Sequence, residues 1–247
     1  MNKTFSLVSL AFMSFSTLAD DQDQGTQWGV GAAIVSQDQG YTDIGNETIL
    51  VPALAIQSGN FSLLGPRGSY KIWQQENIEF SVVGQLRLDG YEEADGDIFL
   101  GMEDRDMSFD FGFEGELDTE FGEFGFSFMH DVTSTHKGYE ASVSYGVPFN
   151  VGDGRIMPYV SASYLSEDLV DYYYGVLPNE QRAGRMAYVG EATMNVEVGV
   201  SSDWFFGKNH MIKADLSYTA YGSEIEDSPL LEKSGAAQLL LGYVYVF

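Results

Sequence analysis

The sequence predicts an all-β protein, an antiparallel transmembrane β-barrel of twelve strands, with ten as the alternative count. Three observations carry that expectation. Counting back from the last residue, Phe247, Tyr245, Tyr243, Leu241 and Leu239 are large and apolar at every second place. Further segments, each roughly ten residues long, alternate in the same way, and that is the length a strand needs to cross a bilayer at a tilt. The connections between them alternate short and long, as tight periplasmic turns and extended outer loops would.

The closing strand is the most specific of these. Chain termini usually fray and are polar, so an apolar face that runs to the last residue needs a partner. In a barrel the last strand closes against the first, with an apolar row toward lipid and an aromatic girdle. The terminal aromatic with aromatics at alternate places, Tyr243, Tyr245 and Phe247, resembles the signal by which bacterial outer-membrane proteins are recognised for insertion.

The first residues are a targeting segment. Lys3 gives a positive start, residues 5–15 are apolar apart from serines, and Thr17-Leu18-Ala19 is a small-residue cleavage site. The mature chain is expected to begin at Asp20, with residues 20–247 forming one barrel domain. No stretch supplies the ~20 apolar residues of a spanning helix.

The strands follow in order. Trp28, Val30, Ala32 and Ile34 alternate with Gly29, Gly31 and Ala33. Residues 49–56 are nearly all apolar but carry Pro52, which removes a ladder donor and weakens or bends the strand. Residues 60–73 form one bent strand or two short ones, divided around Gly65–Gly68. Clean alternation then sets Phe80 and Val82 against Glu79 and Ser81, and Phe109, Phe111 and Phe113 against Asp110 and Glu114. Phe124, Phe126 and Phe128 oppose Gly125 and Ser127, and Val143 and Tyr145 oppose Ser142 and Ser144. Val196 and Val198 oppose Glu197, and Leu216 and Tyr218 oppose Asp215 and Ser217. Inner turns are expected at 74–77, 118–119, 150–154 and 203–208. Outer loops are expected at 36–48, 89–106, 131–136, 166–190 and 222–234. An unsplit 60–73 leaves eleven segments and puts the loop 36–48 on the wrong side. Splitting it gives an even number with both termini inside, as bacterial barrels have.

Composition excludes several function classes. The formal charge is −25, so nucleic acid finds no basic face to bind. Cysteine is absent, which removes disulfides and thiol chemistry. Acidity can signal disorder, but 28 glycines and 14% aromatic residues in strict alternation fit a tightly turned, lipid-contacting β protein.

Candidate chemistry is sparse. The loop 89–106 sets eight carboxylates against Arg105 alone. It lacks the spacing of a calcium loop and reads as a solvated, mutually repelling segment. His130, Asp131, Ser134 and His136 share one rim, yet His130 has the parity of the lipid-facing phenylalanines, and no nucleophile, base and orienting carboxylate line up. The expectation is therefore a non-enzyme with no cofactor and no metal. Lumen carboxylates Glu114, Glu116, Glu140 and Glu197 fit either a narrow cation-preferring pore or internal salt bridges to Arg87 and Lys213.

One longer pattern is more specific. Asp171 to Val176, which includes Tyr173, Tyr174, Gly175 and Val176, is followed by Glu180 and Tyr188. With Ser228-Pro229-Leu230 and the closing Gly242-Tyr243-Val244-Tyr245-Val246-Phe247, it resembles the MipA/OmpV family of outer-membrane proteins. Val51-Pro52-Ala53, Gly59-Asn60-Phe61 and Gly68-Ser69-Tyr70 look like the family's N-terminal pattern. The likeness spans the mature chain, although the glycines around the third strand are fewer than the family's and the outer loops are unusually acidic. The resemblance implies a scaffold in the outer membrane of a Gram-negative bacterium, linking it to peptidoglycan-remodelling enzymes: the lytic transglycosylase MltA and a bifunctional penicillin-binding protein. Other members are described as antigens or adhesins. The alternatives are thus a narrow channel, or a surface adhesin acting through 89–106 and 166–190. A monomer in contact with lipid and lipopolysaccharide is expected. Trp204, Phe205 and Phe206, at one inner turn, are the candidate periplasmic contact, set against a simple interfacial girdle.

Overall fold

The computed structural model describes residues 25–247; the expected cleavage site at Ala19 and Asp20 lies outside the described residues. The chain forms β1 (Gln27–Asp38), β2 (Glu47–Ser58), β3 (Phe61–Leu64), β4 (Arg67–Gln75), β5 (Ile78–Arg87), β6 (Ser108–Thr119) and β7 (Gly122–Asp131). These are followed by β8 (Tyr139–Gly146), β9 (Phe149–Val151), β10 (Gly154–Leu165), β11 (Thr193–Phe206), β12 (His210–Ala220) and β13 (Gly235–Val246). All neighbours are antiparallel, β10 pairs with β11, and β13 returns to β1, so the sheet is closed. β8 and β9 both pair with β10 and are one stave, interrupted at Val147-Pro148, where the Val147 N–H donates to the Pro158 carbonyl at 3.0 Å. Counted so, the barrel has twelve strands, in agreement with the split of residues 60–73.

Closure rests on small residues. β1 and β13 pair from Gly29↔Val246 to Asp38↔Ala237. A Cβ at Gly31 would stand 1.9 Å from the Tyr243 carbonyl oxygen, so only glycine fits that approach. At the seam's inner end the Phe247 N–H donates to the Trp28 carbonyl at 2.9 Å, and their rings stack with centroids 4.2 Å apart.

The fold is apolar on the outside. Leu50 is 71% exposed and Leu216 60% exposed, while Ser81, Asp110, Ser142, Glu197, Asp215 and Ser217 are buried. A contiguous apolar belt over a polar interior suits lipid, not water. Among the described residues no helix is long and apolar enough to cross a membrane; the crossing is made by strands.

Turn positions depart slightly from the sequence reading. Asp118 and Thr119 belong to β6, and the reversal is at Glu120-Phe121, held by the Thr119 hydroxyl donating to the Gly122 carbonyl at 2.7 Å. β11 runs on to Phe206, because the chain first reverses at Gly207, whose φ of 64° is the left-handed conformation a tight turn requires. β3 is only four residues long and turns back at Gly65-Pro66.

The acidic loop is not the solvated, repelling segment expected. Tyr91, Ile98, Phe99 and Met102 are buried in it. Its carboxylates accept from its own backbone: Asp95 from the Glu92 N–H at 2.7 Å, Asp104 from Glu93 at 2.9 Å, Glu93 from Gly101 at 2.7 Å. Each such bond offsets part of the like-charge repulsion and fixes the loop's path.

Candidate functional site: an outer plug and a periplasmic vestibule

Four outer connections converge on one core. They follow β1 (residues 39–46), β5 (88–107), β10 (166–192) and β12 (221–234). The third carries α1 (Glu167–Tyr174) and the fourth α2 (Ser223–Glu226). Tyr41, Phe99, Leu169, Tyr174, Ile225 and Leu230, drawn from all four, are buried together. Since these loops start around the whole circumference, a shared core must lie across the mouth. It plugs the outer end.

The family-like motif residues are the joints of this plug. Tyr173 is buried, and its hydroxyl donates to the Asp106 carbonyl at 3.2 Å. The Tyr174 carbonyl accepts from the Ser228 hydroxyl at 2.6 Å, tying the third loop to the fourth. The Gly175 N–H closes α1 on the Asp171 carbonyl, and a Cβ there would stand 2.2 Å from that oxygen. Val176 exchanges backbone hydrogen bonds with Tyr188. Half-buried Pro229 precedes Leu230, whose carbonyl accepts from the Thr42 N–H of the first loop at 2.9 Å.

Two arginines that the sequence reading did not assign fasten the second loop to the third. Arg105 pairs with Glu180 at 3.2 Å and donates to the Tyr172 carbonyl at 2.8 Å. Arg185, almost wholly buried, donates to the carbonyls of Ile98, Leu100 and Glu180. Burial alone would push the Glu180 carboxyl up. The Glu103 and Leu177 N–H groups and the Arg105 guanidinium outweigh it and hold that carboxyl below its ordinary range. Burial also holds the Tyr41 and Tyr91 phenols above theirs, so both stay neutral. The legible signal was Arg105, a lone base in an acidic loop.

Below the plug, Asp110, Asp131 and His136 present ligand-type atoms within 4.8 Å of one another. Their valences are already used. Arg87 and Ser108 donate to Asp110 at 2.7 and 2.9 Å. Asp131 accepts from the Thr133, His136 and Lys137 N–H groups. His136 accepts the Gly138 N–H at Nδ1 and turns Nε2 to Asp110 at 3.3 Å. With both ring nitrogens engaged, it is not placed to activate a hydroxyl. His130 faces outward, its Nδ1 2.9 Å from the Gly138 carbonyl oxygen. The lumen carboxylates are largely internal partners: Arg87 also meets Glu140 at 2.9 Å, Arg67 pairs with Glu114, Lys213 pairs with Asp203, and Glu197 accepts from Tyr159 at 3.0 Å and Thr219 at 2.9 Å.

The short turns, the start of β1 and the end of β13 mark the periplasmic side. There a cavity of about 280 Å³ opens between β3, β4, β5 and β6, bordered by Lys71, Glu76, Glu79, Glu116 and Asp118. Lys71 pairs with Glu79 at 2.7 Å. Phe121, in the turn between β6 and β7 at the same end of the barrel, is 75% exposed. The three suspected contact residues are not one exposed turn: they end β11 and alternate in direction. Trp204 covers Gly154, where a Cβ would stand 2.4 Å from its ring. Phe205 turns inward onto Ala55, Met211, Val244 and Val246, and only Phe206 is exposed. Tyr243, Tyr245 and Phe247 face outward as expected, the Tyr243 hydroxyl 2.7 Å from His210 Nδ1 and the Tyr245 ring 5.0 Å from Phe247.

The chain is similar in sequence to proteins named as outer membrane proteins. The chain is 29% identical over 152 residues to the outer membrane protein Omp26La of Vibrio anguillarum, covering 62% of this chain and 58% of that protein. It thus spans somewhat more than half the length of that relative. It is 22% identical over 224 residues to the MltA-interacting protein of Escherichia coli K12, with 90% of each chain covered. Among solved structures, the NanC porin covers 87% of this chain and 98% of its own at 9% identity and a TM-score of 0.45. The protein is an outer-membrane β-barrel. A family model matches residues 29–247, and the chain belongs to the family that model describes, MltA-interacting protein MipA.

Proposed function

We propose that this protein is a non-enzymatic scaffold that binds a murein-remodelling enzyme, a lytic transglycosylase with its synthase partner, from the periplasmic side of the outer membrane. The observation that carries the reading is the asymmetry of the barrel. Its outer mouth is filled by a packed plug, while its periplasmic end presents the open, charged vestibule and the exposed rings of Phe121 and Phe206. Partners bind through a few exposed aromatic anchors within a polar rim, and that end supplies both. The Escherichia coli relative named MltA-interacting protein supports the choice of partner class.

The test is capture of a purified lytic transglycosylase by the detergent-folded barrel. The parent should retain it. Phe121→Ser with Phe206→Ser should lose about tenfold or more in affinity if the rings are anchors, whereas Trp204→Ser should act on folding instead. A folded parent that retains no transglycosylase, and conducts as a single channel in planar bilayers, would replace the scaffold reading with a channel. The plug leads us to expect no conductance.

A further inference from the structure

Among the described residues, the ladder along β2 is interrupted on one side. The ladder between β2 and β3 ends at Ala55↔Leu64, and the Gly65 N–H donates to the Leu54 carbonyl at 3.0 Å as its last rung. From Ile49 to Ala53, β2 pairs with β1; among the described residues no register partner stands on its other side. Backbone groups alternate across an antiparallel ladder, so those of Leu50 and Pro52 point the same way as the Leu54 carbonyl, into the gap. Pro52 has no N–H to leave unmet there, which is where a sheet tolerates proline. On the far bank the Leu86 N–H donates to the Pro66 carbonyl at 3.0 Å. Leu50 and Leu54 on one bank and Leu86 on the other are exposed on the outer face. The notch therefore opens at the depth of lipid.

Immediately behind it lies an apolar cavity of about 80 Å³. Its lining includes Pro52, Gly65 and Pro66 of the notch, and Val51, Met211 and Leu240 of the interior. Elsewhere the lumen wall is largely polar, with Ser81, Asp110, Ser142, Ser161 and Glu197 buried there, so an apolar cavity is an exception. The two cations at its edge, Arg67 and Lys213, are already paired with Glu114 and Asp203. An apolar cavity repels water and accepts apolar ligands, whereas an open strand edge in hydrocarbon demands a hydrogen-bonding partner. Both demands are met by one molecule with an apolar tail and a polar end.

We propose that the notch is a lateral entry at which an outer-leaflet amphiphile seats the first few methylenes of its acyl chain in this cavity, its carboxyl or ester oxygen accepting from the Leu50 N–H. The lining takes in Ala32, Pro52 and Tyr243, whose parity in the strands is outward, so a membrane lipid reaches it without crossing water. That access favours a lipid over a water-borne peptide or solute.

The probe is palmitic acid carrying a diazirine close to its carboxyl end, photolysed with the full barrel in phosphatidylcholine vesicles, with labelled residues mapped by mass spectrometry. The expected result is labelling of the inward residues Val51, Met211 or Leu240, besides outward Leu50 and Leu241. Gly242→Leu fills the cavity from within. A Cβ there stands 3.6 Å from Ala33 Cβ, an ordinary contact, so the variant should fold. Its inward labelling should fall about tenfold, the loss of a few buried methylenes, with outward labelling unchanged. Ala53→Phe serves as an independent filling variant. Labelling confined to outward residues in the parent would overturn the proposal. So would inward labelling that survives both substitutions in folded protein.

Discussion

Arg105 and Glu180 lie 75 residues apart in the chain and meet at 3.2 Å inside the plug, each with almost no exposed side chain. One comes from the loop after β5 and the other from the loop after β10. Cutting one partner of a buried pair leaves the other charge uncompensated, at a cost of ~3–5 kcal/mol. Glu180→Leu should therefore loosen the outer loops while the barrel stays closed. Hydrogen exchange should rise in residues 88–107 and 166–192, with the strands still protected. Unchanged loop protection would mean that the pair does not hold the plug.

The same carboxylate gives the plug a pH dependence. Glu180 titrates below its ordinary value of 4.5 in the folded state. A lowered folded value means that its stabilisation is fully present above 4.5 and is lost as pH falls through the folded value. Loop protection should be flat from neutrality down to about pH 5 and decline below it. In Glu180→Gln that decline should be smaller. Proteolysis of the loops at graded pH reads the difference.

Barrel closure should be sensitive at Gly31 and indifferent at Gly242. A methyl at Gly31 meets a backbone oxygen at 1.9 Å, whereas one at Gly242 meets only side chains, the nearest at 3.6 Å. Overpacking costs ~1–3 kcal/mol where neighbours can move, and a paired backbone moves least. Gly31→Ala should lose the heat-modifiable folded band on electrophoresis, and Gly242→Ala should keep it. Equal behaviour of the two would remove the seam argument.

The terminal ring should matter more in the cell than in the tube. The stack of Phe247 on Trp28 is worth about 1 kcal/mol, so Phe247→Ser should refold in detergent with a small loss. If the last residue is also read by the assembly machinery, the amount of barrel in the outer membrane should fall far more than that loss explains. Comparing refolding yield with membrane abundance separates the two roles.

The strands were legible in the sequence because their pattern is local. A period of two with one lipid-facing side fixes the face of every residue, and so Phe109 to Phe113, Val196 to Val200 and Leu239 to Phe247 point where the alternation put them. An even strand number required the division of residues 60–73, and β3 and β4 are that division. Trp204 to Phe206 failed as a patch for the same local reason: three consecutive strand residues cannot share a face.

The plug and the notch were decided only in three dimensions. The loop 89–106 read as repelling acid because its partners, Arg185 and Tyr172, are supplied from 166–192, and loops have no period to announce such pairings. Tyr174 and Ser228 were visible as a motif, but that one carbonyl accepts from the other's hydroxyl across 54 residues was not. The shortness of β3 is likewise silent in sequence, since Pro52 reads as a weak strand until its neighbour is seen to be missing. By itself the sequence determined the faces, the strand number and the membrane; packing between segments far apart in the chain decided where the barrel is closed and where it is open, because those contacts depend on which loops the closed wall brings together.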